Sequence, residues 1–249
     1  VYSKQDYWRG AYSESKMTCD YLTNDVGNWF REQVAAHPDT KWRVALVHFN
    51  VFSGSGHQDD EATPMFRATM LPIFKELEID VVMQGHDHCY EVIGPVDPDT
   101  KTPILSAITD IESVSKDEDR NITGKKGGTF CVDDGTLFFI GATCGAKRYS
   151  PHTPQEMAEL KYSTDVENYF DLFTGMFGQP GAPSYTRVDA SEDALTFHSY
   201  TTDKDGNSNE FNRFKVVRTK EHSDYVYTDL KHPANRKRMI SEAPCKFIY

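Results

Sequence analysis

Hydrophobic positions follow a helical period early in this chain and a strand period later. Val26, Trp29, Phe30 and Val34 recur at i, i+3, i+4 and i+8, which predicts an amphipathic helix with Asn24 as its N-cap. His37-Pro38 ends it, because the residue before a proline is pushed out of the helical region. Trp42 to Val47 then reads as a buried strand running into His48. Residues 49–62 are rich in Ser, Gly and Asp and read as a loop. A second helix opens at Thr63-Pro64, with Pro64 at its first helical position. Met65, Thr69, Ile73 and Leu77 share one face, and Pro72 inside the pattern predicts a kink or two short helices. Ile79 to Met83 is another apolar run. Strand, helix, strand in this order is a βαβ unit with parallel strands.

Beyond the second strand the pattern turns β-like. Thr136–Ile140 is an apolar run after an Asp134-Gly135 turn, and Tyr185–Val188, Leu195–Tyr200 and Asn212–Val217 read as further strands. Residues 146–180 are loop-rich and aromatic, with a helix expected near 154–161. Residues 220–249 show no clear period and carry a basic stretch from Lys231 to Arg238, read as solvated. These changes suggest one domain over 1–219 and a C-terminal extension over 220–249.

Chemistry enters at the strand ends. Gly85-His86-Asp87-His88 leaves the second apolar strand, and His48 leaves the first. In extended backbone, positions i and i+2 project to the same side, so His86 and His88 can face one cleft. The carboxyl edge of an open α/β sheet is where such folds bind ligands. Imidazoles from two adjacent strand ends suit zinc, iron or manganese, and a bound ion lowers the pKa of its water. Singly, each of these histidines reads as an ordinary core or loop residue. The metal reading comes from their convergence.

Composition trims the alternatives. The chain is 38% hydrophobic and 26% charged, with a net charge of −11. A packed core is expected, and a basic nucleic-acid-binding face is not. No apolar run approaches the roughly 20 residues of a membrane span. Five scattered cysteines lack CxxC spacing, and the odd count argues against a full disulfide framework. Asn121-Ile122-Thr123 matches a glycosylation sequon, a triplet short enough to arise by chance.

The strand ending in His48, the run Val81-Val82-Met83-Gln84 and the segment Gln84 to Glu91 together resemble the C-terminal half of the calcineurin-like metallophosphoesterases. Within that superfamily the purple-acid-phosphatase-like branch, with its Gly-His-x-His-x-Tyr-Glu signature, is the nearest in pattern. Weaker similarity continues through Phe138–Pro151 and the hairpin Tyr185–Val217. The resemblance implies a four-layer α/β sandwich of mixed sheets flanked by helices, with this chain supplying its second half. It implies hydrolysis of a phosphoester by metal-activated water or hydroxide at a divalent or mixed-valence pair of Fe, Mn or Zn. His48, His86 and His88 would be metal ligands. His57 falls where purple acid phosphatases place histidines near the substrate phosphate, so it is the candidate catalytic residue. An extracellular setting is favoured by the resemblance alone.

The chain also departs from the family pattern. Gln58 stands where the family has a second histidine, and the usual His-x-Pro reads His48-Phe49-Asn50. The upstream ligand motifs, with the bridging carboxylate and asparagine, are absent from the residues before Trp42. A missing N-terminal half or a partner chain is therefore expected to complete the site, and an apolar sheet edge or face is expected to lie open without it. Two other readings stay open: a catalytically silent half-domain used for binding, and a single-metal site whose carboxylate is Asp59, Asp60 or Glu61.

Overall fold

The computed structural model describes residues 18–60, 62–112, 127–159, 166, 169–173 and 175–225. Glu61, the sequon at Asn121 and the basic stretch 231–238 lie outside the described residues.

The first helix begins earlier than the sequence pattern predicts. Thr18 is the cap, its hydroxyl accepting from the Tyr21 N–H at 3.1 Å. An α-helical turn at Cys19–Tyr21 passes through a π-helical stretch at Leu22–Val26 into α1, Gly27–Ala36. Asn24 therefore lies inside the helical run. Thr18 offers the same capping chemistry one and a half turns earlier, and the helix ends before His37-Pro38 as expected. Cys19 is disulfide-bonded, while Cys89, Cys131 and Cys144 are free.

β1 (Val44–Leu46), α2 (Ala62–Glu76) and β2 (Val81–Gln84) form the βαβ unit, with Val44 paired to Val81 in a parallel register. α2 is one continuous helix through Pro72, and not the two short helices that were one of the two expected outcomes there. Pro72 and Lys75 face solvent between the buried Leu71, Ile73 and Phe74.

The remaining strands are β3 (Tyr90–Asp97), β4 (Thr102–Pro103), β5 (Ile108–Thr109), β6 (Thr129–Cys131), β7 (Thr136–Gly141), β8 (Phe177–Gly178), β9 (Ser184–Ala190), β10 (Ala194–Thr202) and β11 (Ser208–Val217). The short helix α3 spans Pro154–Glu159. Two mixed sheets result. One runs β1-β2-β7-β3-β4, with β8 paired to β3, and the other runs β5-β6-β11-β10-β9. In the first, β2 lies parallel to both β1 and β7, while β3 is antiparallel to β7.

One apolar cluster joins the helices to the first sheet through Phe66, Met70, Phe74, Val82 and Phe138. A second joins the two sheets, with Tyr90 and Phe139 of the first meeting Phe197 and Phe214 of the second. Phe197 and Phe214 stack at 4.5 Å, and Phe139 packs on both. β1, expected as a buried strand, is an edge among the described residues, and its Leu46 is 75% exposed. The chain beyond β11 folds back on the start of β2. There the buried Asp80 accepts hydrogen bonds from the Arg43 N–H at 2.7 Å and from Arg218 at 3.0 Å, and contacts His222 at 3.1 Å.

Phe197 is fully buried at the junction of the sheets. Its replacement by alanine is expected to cost about 3–5 kcal/mol by denaturant unfolding. A loss under about 1 kcal/mol would mean that the sheets are not packed on this ring.

Candidate metal centre

The parallel pairing of β1 and β2 continues past their ends and sets the site. The Val47 N–H donates to the Met83 carbonyl at 2.9 Å, and the Gly85 N–H donates to the His48 carbonyl at 3.2 Å. His48 and the 85–88 segment therefore leave the sheet side by side. A Cβ on Gly85 would stand 3.5 Å from the His48 ring, so the two loops are in close contact. His86 adopts φ +69, a left-handed conformation that costs a non-glycine residue roughly 1 kcal/mol or more and is concentrated at functional sites.

That turn undoes the extended i, i+2 argument, since the backbone is not extended at His86. The rings instead form a string. His48 lies 5.2 Å from His86, His86 stacks on His57 at 3.6 Å, His57 meets Tyr149 at 5.2 Å, and Tyr149 meets His88 at 5.0 Å. His48, His57 and His86 come together at one end. His88 stands at the other, its Nδ1 2.9 Å from the Lys147 carbonyl, which it reaches as an N–H donor.

Asp60 enters this cluster. Its Oδ2 lies 2.8 Å from His57 Nδ1 and 3.4 Å from His86 Nε2. Ligand atoms of His57, Asp60 and His86 all fall within 4.8 Å of one another, the one such group found among the described residues. Two imidazoles and a carboxylate form a donor set that fits zinc, manganese or iron. The arrangement thus suits an ion at the His86 end of the string, while His88 faces Tyr149. Asp59 is exposed.

Charge in the cluster is divided unevenly. Burial opposes a charged His57, but its hydrogen bond to Asp60 outweighs this and raises its pKa. Asp60 is also penalised by burial, and the two imidazoles more than compensate, holding it well below the usual carboxylate range. Partial burial and the neighbouring imidazoles lower the pKa of His48. The cluster favours a protonated His57 beside an ionised Asp60 and a neutral His48. Neutral imidazole is the form that binds metal.

Beneath the rings lies a polar core that the sequence reading did not anticipate. Asp87 is 1% exposed, and its carboxylate accepts from Asn50 Nδ2 at 3.2 Å, from the Ser53 hydroxyl and from the His57 N–H at 3.1 Å. Glu91, also buried, accepts from the Gly54 N–H at 3.1 Å and from Ser53 Oγ at 3.3 Å. Burial raises the pKa of both carboxyls, and the Asp87 charge pushes Glu91 further up. Gln58 is buried too, accepting from the Ser53 N–H at 3.2 Å and from the Tyr169 hydroxyl. Gly54 is required by close approach, since a Cβ there would lie 2.5 Å from the Phe177 ring. The sequence signal for this core was the alternation of Asp87, Cys89 and Glu91 into the strand β3, which a buried apolar reading of the region hides.

No family model matches the chain. Over 80 residues it is 36% identical to purple acid phosphatase 3 of Arabidopsis thaliana, a match covering 31% of this chain and 20% of that protein. The chain is a relative of the purple acid phosphatases. A solved purple acid phosphatase, PPD1 from yellow lupin (Lupinus luteus) seeds, aligns with a TM-score of 0.45 and 15% identity, covering 83% of this chain and 30% of that one. The match to the Arabidopsis phosphatase thus spans a fifth of its length. The purple-acid-phosphatase relation agrees with the motif at Gly85–His88. No helix among the described residues is long and apolar enough to cross a membrane.

The His57–Asp60 pair generates a pH prediction. The folded pKa of His57 is raised, so its stabilisation is full below the unfolded value near 6.5 and is lost as pH rises through the folded value. In metal-free protein, the Tm advantage of wild type over Asp60→Asn is expected to be largest below the free imidazole pKa and to shrink as pH rises above it. A difference that grows with pH would contradict the pairing. Glu91 is an acid with a raised pKa, so its ionisation destabilises the fold as pH rises. Glu91→Gln keeps an acceptor for the Gly54 N–H and is expected to match or exceed wild-type Tm at neutral pH. Glu91→Ala is expected to lose about 1–3 kcal/mol.

Proposed function

We propose that this chain contributes the histidine part of a metal centre that hydrolyses phosphoesters. The proposed ligands are His48 and His86 for one ion and His88, at the far end of the ring string, for the other; His57 is the group proposed to stabilise charge or to protonate the leaving oxygen. The observation that carries the reading is the convergence of His48, His57, His86 and Asp60 at the carboxyl edge of β1 and β2, in a chain related to purple acid phosphatases.

A divalent ion bound here would supply a water of lowered pKa and a Lewis acid for a phosphoryl oxygen. The chain's own residues do the rest. Asp60 orients the His57 ring through Nδ1. The buried Asp87 fixes the His57 backbone. The left-handed turn at His86 brings that ring against both His48 and His57. A second metal of the pair would draw on carboxylates from a further segment or a partner chain. We place the phosphoesterase portion over residues 1–219 and treat 220–249 as an extension. The described start of that extension is anchored by His222 on Asp80 and by the Tyr225 hydroxyl donating to Glu76 at 2.7 Å.

Elemental analysis and calorimetric titration of the purified chain with zinc and manganese test the proposal. At least one ion per chain is expected, with affinity lowered on the order of 10–100-fold or more by His86→Ala, and with binding that strengthens from pH 6 to 8 as imidazolium deprotonates. Metal-dependent hydrolysis of an aryl phosphate by the purified chain is the matching activity readout. Absence of metal uptake, or uptake indifferent to His86, would sink the reading. It would leave the silent half-domain, a binding module on the same fold, as the reading that stands.

A further inference from the structure

The ring string has a basic edge that the proposed chemistry does not yet use. Tyr149 lies between His57 and His88, at 5.2 and 5.0 Å, and its hydroxyl is 3.2 Å from His57 Nε2. The Lys147 ammonium sits over the face of that ring, 4.8 Å from its centroid. This is an attractive geometry that holds the cation in place without neutralising it. Lys147 is exposed, and among the described residues no carboxylate pairs with it. Its charge nevertheless reaches the site, where it acts against protonation of His57.

The segment is pinned rather than draped over the site. Buried Gln179 donates from Nε2 to the Tyr149 carbonyl at 2.6 Å and also to the His88 carbonyl. The Ser55 hydroxyl donates to the Ser150 carbonyl at 3.2 Å, and the His152 N–H donates to the Gly54 carbonyl at 2.8 Å. Three contacts thus fasten residues 149–152 to His88 and to the loop that carries His57.

The surroundings make a cation here significant. The whole chain carries a net charge of −11, and the site itself holds the ionised Asp60. An anionic substrate approaching the histidines meets repulsion unless positive charge faces it. Gln58, neutral and buried, supplies none.

We propose that Lys147 and Tyr149 form the anion-binding wall of this site, Lys147 pairing with a charged phosphoryl oxygen and Tyr149 hydrogen-bonding to it beside His57. The wall deepens the phosphoester reading and rests on it. It makes Lys147 and Tyr149 the positioning residues for the substrate's phosphate and leaves metal binding to the histidines.

The test is calorimetric titration of inorganic phosphate into the full chain loaded with one equivalent of zinc, with zinc affinity measured in parallel. Lys147→Met is expected to weaken phosphate binding about tenfold, and Tyr149→Phe about threefold, as a charged and a neutral hydrogen bond are lost. Lys147→Arg is expected to stay near wild type. Zinc affinity is expected to be unchanged in both Lys147 variants, and the wild-type preference over Lys147→Met to narrow at high salt. Equal phosphate binding by wild type and Lys147→Met, with zinc held by both, overturns the wall and leaves the metal reading standing. If wild type takes up no zinc, phosphate titrated into the metal-free chain decides. Binding that depends on Lys147 then supports the wall while the hydrolytic reading fails, and its absence overturns both.

Discussion

The buried carboxylate of Asp87 is the point on which the site geometry depends. It leaves the loop after β2 and turns inward, gathering Asn50, Ser53 and the His57 backbone. A carboxyl group 1% exposed carries a large desolvation penalty, which a raised pKa and its hydrogen bonds offset. Those bonds therefore hold two loops in a single relative position. Because His86 and His88 flank Asp87 in sequence, whatever fixes this carboxylate also sets where both rings emerge. The left-handed backbone of His86 is tolerated for the same reason, since strain persists where the surroundings over-determine the conformation.

Electrostatics divides the site into a lower and an upper layer. Below, Asp87 and Glu91 share the Ser53 hydroxyl, and burial disfavours ionising both. Above, Asp60 is held ionised by the imidazoles of His57 and His86. One negative charge is thus presented to the rings, and the lower pair keeps proton affinity in reserve. A divalent cation would meet an ionised carboxylate and imidazoles that need only lose protons to bind it. The same features disfavour an incoming anion, and that conflict gives the basic edge at Lys147 its importance.

Much of this was legible in the sequence where the signal was local. The βαβ unit followed from two apolar runs around an amphipathic segment, and His48 and His86 followed from the points where those runs end. The hairpin strands were legible from their alternation. What failed had non-local causes. Thr18 displaced Asn24 as the cap because either side chain can accept the orphan N–H groups. α2 runs unbroken through Pro72, whose ring lies on the exposed side of a helix otherwise buried at Leu71, Ile73 and Phe74. His86 and His88 part company because a single positive φ breaks the period of two. Asp60 was one of three adjacent acidic candidates, and only the loop's return onto His86 singles it out.

Gln58 shows how a departure from the family pattern can be absorbed. The resemblance places a histidine there, beside His57, in a position facing the phosphate. Here the side chain turns inward, takes the Tyr169 hydroxyl and the Ser53 N–H, and becomes part of the core that holds the loop. An imidazole in that enclosed position would be penalised in its charged form, so the amide suits the interior better than the residue it stands in for. The cost falls on the upper layer, which has the single histidine His57 where the resemblance places two, and so less positive charge for a phosphate than a histidine pair would give. Lys147, seated on Tyr149 at the same edge, supplies a permanent charge where a second titrating one is missing. An anion site built this way depends less on pH than a pair of imidazoles would, because an ammonium stays charged across the range in which histidine titrates.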